Sequence, residues 1–233
     1  MSNSKQDVNS YSPEGRIYQI EYAMQAMNLG TTTIGLVTSD GVVLCSEKKV
    51  ISKLQISETI RKHYKIYDHI ALAFSGISGD AKTIVSKSME CCLNHTQIYN
   101  ENIPVEGLLK HLCQLALKFS EKDMYKKIFS RPFGASILVA GFDTEPKLYS
   151  IDPSGSYYRY KAKAIGSAYE AVETELKTVY NTIESSDDAI KKGLGILKGV
   201  MKDPLDKENV EVCVVKDKSI NFLSSDEIQN YIE

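Results

Sequence analysis

Side chains able to do covalent or metal chemistry are few and scattered along this chain. Five cysteines stand at Cys45, Cys91, Cys92, Cys113 and Cys213. None forms a C-x-x-C pair, and the adjacent Cys91 and Cys92 have poor geometry for an ordinary disulfide. The number is odd and four of them lie in apolar surroundings, which reads as buried free thiols in a reducing compartment. The histidines, His63, His69, His95 and His111, show no metal-ligand spacing with one another or with the cysteines. They read as surface or packing residues, and neither a metal site nor a cofactor is expected. Thr31-Thr32-Thr33 offers hydroxyls directly after Gly30, but a run of β-branched residues is first of all a strand signal.

The elements that would position these groups follow from periodicity. Residues 1–11 are polar and read as a mobile tail. Ser12-Pro13-Glu14-Gly15-Arg16 is a turn signal. Ile17, Ile20, Met24 and Met27 then recur at helical spacing, predicting an amphipathic helix over about 17–29 that stops at Gly30. A β-hairpin is predicted over 31–45, turning at Ser39-Asp40-Gly41, and a further strand pair over 62–74. Helices are expected at 79–99 and 105–122, the second with Leu108, Leu109, Leu112, Leu115 and Phe119 on one face. Strands at 136–142, 147–151 and 156–161 alternate with turns at Asp143-Thr144-Glu145-Pro146 and Asp152-Pro153-Ser154-Gly155. Helices at 167–183 and 186–201, strands at 210–215 and 220–223 and a short helix at 224–232 complete the chain.

No Gly- or Ser-rich linker interrupts this order, so residues 12–233 read as a single domain behind the tail. Strand blocks each followed by paired helices predict an α+β fold, a four-layer αββα sandwich. The absence of alternating βαβ units argues against a doubly wound sheet. A 42% hydrophobic content with 25% charge is ordinary for a globular core, and a net charge of -2 leaves no basic footprint for nucleic acid or an anionic membrane. The sequence has no apolar run of membrane-spanning length and no signal-peptide core in its first ten residues, so the expected compartments are cytoplasm and nucleus.

Three stretches resemble 20S proteasome alpha-type subunits. The first, Ser12-Pro13-Glu14-Gly15-Arg16-Ile17-Tyr18-Gln19-Ile20-Glu21-Tyr22-Ala23, is similar to the family's amino-terminal signature. The second is Leu29-Gly30-Thr31-Thr32-Thr33-Ile34-Gly35 with Asp40-Gly41-Val42-Val43-Leu44 and Glu47-Lys48-Lys49. The third is Arg131-Pro132-Phe133-Gly134, followed by Asp152-Pro153-Ser154-Gly155 and Ile165-Gly166-Ser167-Ala168. The likeness runs from about Asn9 to the end, and among the eukaryotic alpha types it is greatest to type 5.

The resemblance implies the N-terminal-nucleophile hydrolase fold and an alpha ring stacked on beta-type subunits. It also implies a non-catalytic structural and gating role in ubiquitin-dependent protein degradation, as a component of a threonine-type endopeptidase complex. Implied partners are other alpha subunits, beta-type subunits and a regulatory particle or other activators. Active beta-type relatives use a threonine whose own α-amine is the base; a free α-amine titrates near about pH 8, whereas an amide nitrogen accepts no proton at neutral pH. The matching position is Thr31. Lys62 matches the lysine that assists such a nucleophile and Ser167 an assisting serine, while Glu47 stands where active members carry aspartate. The amphipathic helix before Thr31 reads as a retained element, which leaves Thr31 acylated and these four residues vestigial. The alternative is a self-processed beta-type threonine peptidase with Thr31 as nucleophile.

By the same resemblance, Lys62, with backbone near Gly30 and Ile77, would bind the C-terminal carboxylate of activator tails; a solvated lysine at a strand entrance is the plainer reading. Pro13 and Tyr22 match residues that position the base of the gate tail. The family's Tyr-Asp-Arg appears here as Ser4-Lys5-Gln6, which loses an aromatic ring and reverses a charge. A stand-alone amidohydrolase and an assembly factor absent from the finished particle are the remaining alternatives.

Overall fold

The computed structural model describes residues 10–52, 54–121, 129–217 and 219–232. The Ser4-Lys5-Gln6 departure and nearly all of the expected tail therefore lie outside the described residues. The chain opens with helix α1 (Tyr18–Met27), then strands β1 (Thr33–Val37), β2 (Val42–Glu47), β3 (His63–Tyr67) and β4 (Ile70–Gly76). Helices α2 (Ser78–Tyr99) and α3 (Val105–Ala116) follow. Next come strands β5 (Ala135–Phe142), β6 (Pro146–Ile151), β7 (Tyr157–Tyr160) and β8 (Ala162–Ile165). Helices α4 (Tyr169–Val179) and α5 (Ser186–Val200), strands β9 (Val210–Lys216) and β10 (Ser219–Phe222), and helix α6 (Ser225–Ile232) close the order.

The strands form two five-stranded sheets, ordered β10-β9-β2-β1-β8 and β3-β4-β5-β6-β7, and every pairing is antiparallel. Period-two alternation sorts their side chains into layers. In β4, Ile70, Leu72 and Phe74 face α2 and α3, whereas Ala71 and Ala73 face the other sheet. In β2, Val43 and Cys45 pack with α4 and α5, whereas Val42 and Leu44 join Leu138, Leu148 and Cys213 between the sheets. Helices on both outer faces and two sheets within make the αββα sandwich.

Helix ends follow local chemistry. Ser185 Oγ accepts from the Asp188 N–H at 3.2 Å and caps α5, with Asp187 and Asp188 in the first turn where the helix dipole favours carboxylates. Asn100, with φ of 53°, ends α2 in the left-handed region that asparagine tolerates.

Several boundaries differ from the sequence reading. The helix expected over 105–122 tightens after Ala116 into a 3-10 turn at Leu117–Ser120, and residue 122 is not described. The helix expected over 167–183 runs only over Tyr169–Val179, with a 3-10 turn at Tyr180–Thr182. The strand expected over 156–161 is β7, and a further strand that was not expected, β8, follows it at Ala162–Ile165. β7 pairs with β6 and β8 with β1, so the chain crosses between sheets at Lys161. Strand β1 begins at Thr33, two residues after the start of the expected hairpin.

Leu138 is fully buried between the sheets. Leu138→Ala should cost about 2–5 kcal/mol of unfolding free energy in urea titrations of the full-length chain. Lys82→Ala, at an exposed position of α2, should change it by no more than about 0.5 kcal/mol.

Candidate functional site

The elements meet at the Gly30–Thr31 junction between α1 and β1. A Cβ on Gly30 would lie 2.1 Å from the Gly76 nitrogen, so only glycine lets the end of β4 come this close. The Gly30 carbonyl accepts from the Ser167 N–H at 2.9 Å. The Thr31 carbonyl accepts from Ser75 Oγ at 2.9 Å. Gly166, with φ of 103°, passes so near that a Cβ there would sit 2.5 Å from the Thr31 oxygen. Both carbonyls flanking the Thr31 nitrogen are thus engaged by neighbouring elements. That nitrogen is an amide, with no lone pair to take a proton from its own hydroxyl.

Thr31 is half-buried and Ser167 exposed, joined through Gly30. Glu47 reaches back to the Thr32 N–H at 3.3 Å, and its own N–H donates to the Thr32 carbonyl at 2.9 Å. Lys62 is 7% exposed, with its ammonium 4.4 Å from the centre of the Phe74 ring. The plain reading of a solvated lysine is therefore overturned: the strand entrance before β3 is covered by β9 and β4. Burial pushes the Lys62 pKa down to about 8, against the opposing pull of Glu47 and Glu211. No ion pair of Lys62 is formed among the described residues.

Sequence reasoning missed the polar cluster around Lys62. Glu211 on β9 accepts from the Lys62 N–H at 2.6 Å, and burial raises its pKa while the Lys62 hydrogen bond and the Lys48 charge oppose. His63 is 1% exposed, with Nε2 2.6 Å from Ser46 Oγ. Ser46 Oγ donates onward to Thr33 Oγ1 at 2.8 Å, and Thr33 Oγ1 to the Phe74 carbonyl at 3.4 Å. With its own hydrogen spent, Ser46 accepts from His63, which fixes the Nε2–H tautomer and leaves Nδ1 buried without a partner among the described residues. Burial, with the charges of Lys62 and Lys48, holds the imidazole neutral and pushes its pKa down to about 3. Partners this far apart along the chain leave no local pattern, so only a Glu in an otherwise apolar Val210–Val215 run could have signalled the cluster.

The remaining site residues lie around α1. Ser12-Pro13-Glu14-Gly15-Arg16 forms the expected turn: the Gly15 N–H donates to the Ser12 carbonyl and the Ser12 N–H to the Arg16 carbonyl, each at 2.8 Å. Pro13 is exposed on its corner. Tyr22 is 56% exposed and stacks on Tyr18, ring centres 6.3 Å apart. Ile77 lines a 220 Å³ cleft with Gln19, Tyr22, Ala26 and Arg131. Its N–H donates to the Gly134 carbonyl at 2.9 Å, and the Gly30 N–H to the Met27 carbonyl at 3.3 Å. Asp80 pairs with both terminal nitrogens of Arg131 at 2.7 and 3.0 Å and accepts from the Gly134 N–H at 2.8 Å. Gly30 thus meets Ile77's neighbour Gly76, while Lys62 stands against Phe74 on the same strand. All cysteines are free, and burial pushes the Cys45 thiol up to about 12, which suits packing rather than reactivity. Among the described residues no group of His, Cys, Asp and Glu is placed to hold a metal, and no helix is long and apolar enough to cross a membrane.

Two five-stranded antiparallel sheets between outer helices make an αββα sandwich of the N-terminal-nucleophile hydrolase type. Comparison with known families gives a match to the proteasome subunit model over residues 27–215 and to the N-terminal signature of A-type proteasome subunits over residues 6–26. The chain belongs to the proteasome subunit family, in its alpha type. It is 58% identical over 232 residues to a probable alpha type-5 proteasome subunit of Encephalitozoon cuniculi, covering 100% of both chains. It is 42% identical over 210 residues to the alpha type-5 proteasome subunit of Caenorhabditis elegans, covering 90% of this chain and 84% of that one. The Drosophila melanogaster alpha type-5 subunit is 37% identical over 230 residues, with 97% and 94% covered.

The buried ammonium has a pH signature. Between about 8 and its ordinary 10.5 the unfolded chain holds a proton on Lys62 that the folded chain has released. Stability must therefore rise with pH in that window, by linkage. Unfolding free energies of the native chain should gain on those of Lys62→Met as pH climbs from 8 to 10.5. A flat difference across that range would show that the ammonium is not desolvated.

Proposed function

We propose that this chain is a non-catalytic structural and gating subunit of the alpha ring of the 20S proteasome core, supporting ubiquitin-dependent protein degradation. Its proposed partners are other alpha subunits, beta-type subunits, and a regulatory particle or other activators, in cytoplasm and nucleus. The observation that carries the reading is the A-type N-terminal signature over residues 6–26, which leads through α1 into the packed backbone at Gly30–Thr31. Thr31, Glu47, Lys62 and Ser167 are then remnants: Glu47 spends its carboxylate on the Thr32 N–H, and Lys62 supports the fold from within. The self-processing peptidase with Thr31 as nucleophile is not favoured, because the relatives and the amino-terminal signature are of the alpha type.

Two finer roles belong to the proposal. Residues 1–11 form the gate tail, with Pro13 and Tyr22 at its base, and 12–233 form the single domain that carries it. Lys62, Gly30 and Ile77 border the place where activator C-terminal tails dock; a lysine ammonium suits a peptide carboxylate chemically.

Intact-mass measurement on the purified particle should find this chain with the residues before Thr31 retained. A chain trimmed to begin at Thr31, and labelled there by a threonine-directed covalent inhibitor, would overturn the assignment. Deleting residues 2–10 should raise peptide hydrolysis by the assembled particle without activator, and an unchanged basal rate would remove the tail from the gate.

A further inference from the structure

Strand β8 is one edge of its sheet, and between it and α4 lies a cleft of 310 Å³. Its lining includes Lys161, Lys163, Glu173, Leu176, Lys177 and Tyr180. Lys163 is already committed: its ammonium is 2.6 Å from Glu173 Oε1 and 4.9 Å from the centre of the Tyr160 ring. Lys161 and Lys177 are exposed, and neither makes an ion pair or a side-chain hydrogen bond among the described residues. With Glu173 neutralised by Lys163, the cleft presents two uncompensated positive charges in a chain whose net charge is -2.

The backbone beside them is also partly free. The Val37 N–H donates to the Lys161 carbonyl at 2.8 Å, and the same register sets Gly35 against Lys163. Alternation in an antiparallel pair turns the peptide groups of Ala162 and Ala164 away from β1. Ala164 is buried, whereas Ala162 is half-buried and lines the cleft. Tyr180, whose hydroxyl donates to the Val37 carbonyl at 3.1 Å, forms a fixed wall where β1 ends. An extended strand laid along this edge would find a backbone donor and acceptor at Ala162, an ammonium on each side and an aromatic wall.

We propose that this cleft receives an acidic extended segment of a neighbouring proteasome subunit, its carboxylates paired with Lys161 and Lys177 and its backbone added at Ala162. Strand addition supplies the affinity and the lysines select for acidic side chains. The proposal rests on the reading of this chain as a ring subunit. A nucleic acid is the poorer occupant, since it calls for an extended basic stripe and not two charges in a recess.

The test uses the native particle. A water-soluble carbodiimide, which joins amines to carboxylates in direct contact, should link Lys161 or Lys177 to an aspartate or glutamate of another subunit. Both lysines should acetylate more slowly in the particle than in the isolated full-length chain. Links only to this chain's own carboxylates, with both lysines acetylated equally fast in the two states, would overturn the proposal while leaving the ring assignment standing. When Lys161→Glu/Lys177→Glu chain competes with unaltered chain for assembly, its incorporation should fall about tenfold, the equivalent of about 1.4 kcal/mol. Equal incorporation would count against the contact. Absence of the chain from the purified particle, by mass, would overturn the ring reading and this one with it.

Discussion

One stretch of main chain constrains everything around it: the Gly30–Thr31 peptide, held against Gly76 on one side and Gly166 on the other. The space leaves no room for a Cβ at Gly30 or Gly166, so the exit of α1 from the sheet is set by backbone meeting backbone. Its carbonyls are satisfied by the Ser167 N–H and Ser75 Oγ, groups brought there by the turns after β8 and at the end of β4. The contacts that seat α1 engage the carbonyl on either side of the Thr31 nitrogen, which is an amide in the continuous chain. An N-terminal nucleophile would need that same atom as a free amine, so a packed preceding helix and a threonine base make opposite demands on it. On the proposed reading the helix stands at the point where such chemistry would begin.

The polar residues around Lys62 have a structural use. Glu211 belongs to one sheet and the Lys62–His63 entry into β3 to the other, so the 2.6 Å hydrogen bond between them staples the layers. The Phe74–Thr33–Ser46–His63 relay crosses the same gap with hydroxyls and an imidazole. Buried charges are costly and stabilise little by themselves. Here each is offset locally: Lys62 by the Phe74 ring and two carboxylates nearby, Glu211 by a main-chain donor and Lys48. The unpartnered Nδ1 of His63 is the cost that remains, borne by keeping the ring neutral.

The layers were legible in the sequence because they rest on period-two and helical spacing: the Ile70-Ala71-Leu72-Ala73-Phe74 alternation is visible without coordinates. The turn before α1 was legible for the same local reason, whereas α1 ends at Met27 with Asn28 as its cap, ahead of the glycine expected to stop it. β8 was not legible. Lys161 continues the polar texture of Tyr157–Tyr160, and nothing within that run says that the chain changes sheets there; the change is dictated by the pairing of Thr33–Leu36 far upstream. The polar cluster was hidden likewise, since Lys62 reads as an exposed cation until β9 is folded over it. Glu47 and Lys62 could be named one at a time, but that Glu47 turns to the Thr32 N–H instead of Lys62 is a matter of geometry alone.

The corner between α1, α2 and the Arg131–Gly134 loop shows how such a scaffold limits its own ligands. Asp80 holds Arg131 and the Gly134 N–H, the Gly134 carbonyl holds the Ile77 N–H, and the Met27 carbonyl holds the Gly30 N–H. Backbone donors that a docking carboxylate would want are therefore already in use within the chain. On the proposed docking reading, a carboxylate would have to reach the ammonium of Lys62, which is 7% exposed against the Phe74 ring and which burial has made a poorer holder of its proton. Bringing a negative charge beside that amine favours its charged form, so docking and proton uptake become one linked event. The desolvation that weakens Lys62 as a free cation is what would make it responsive to a carboxylate partner.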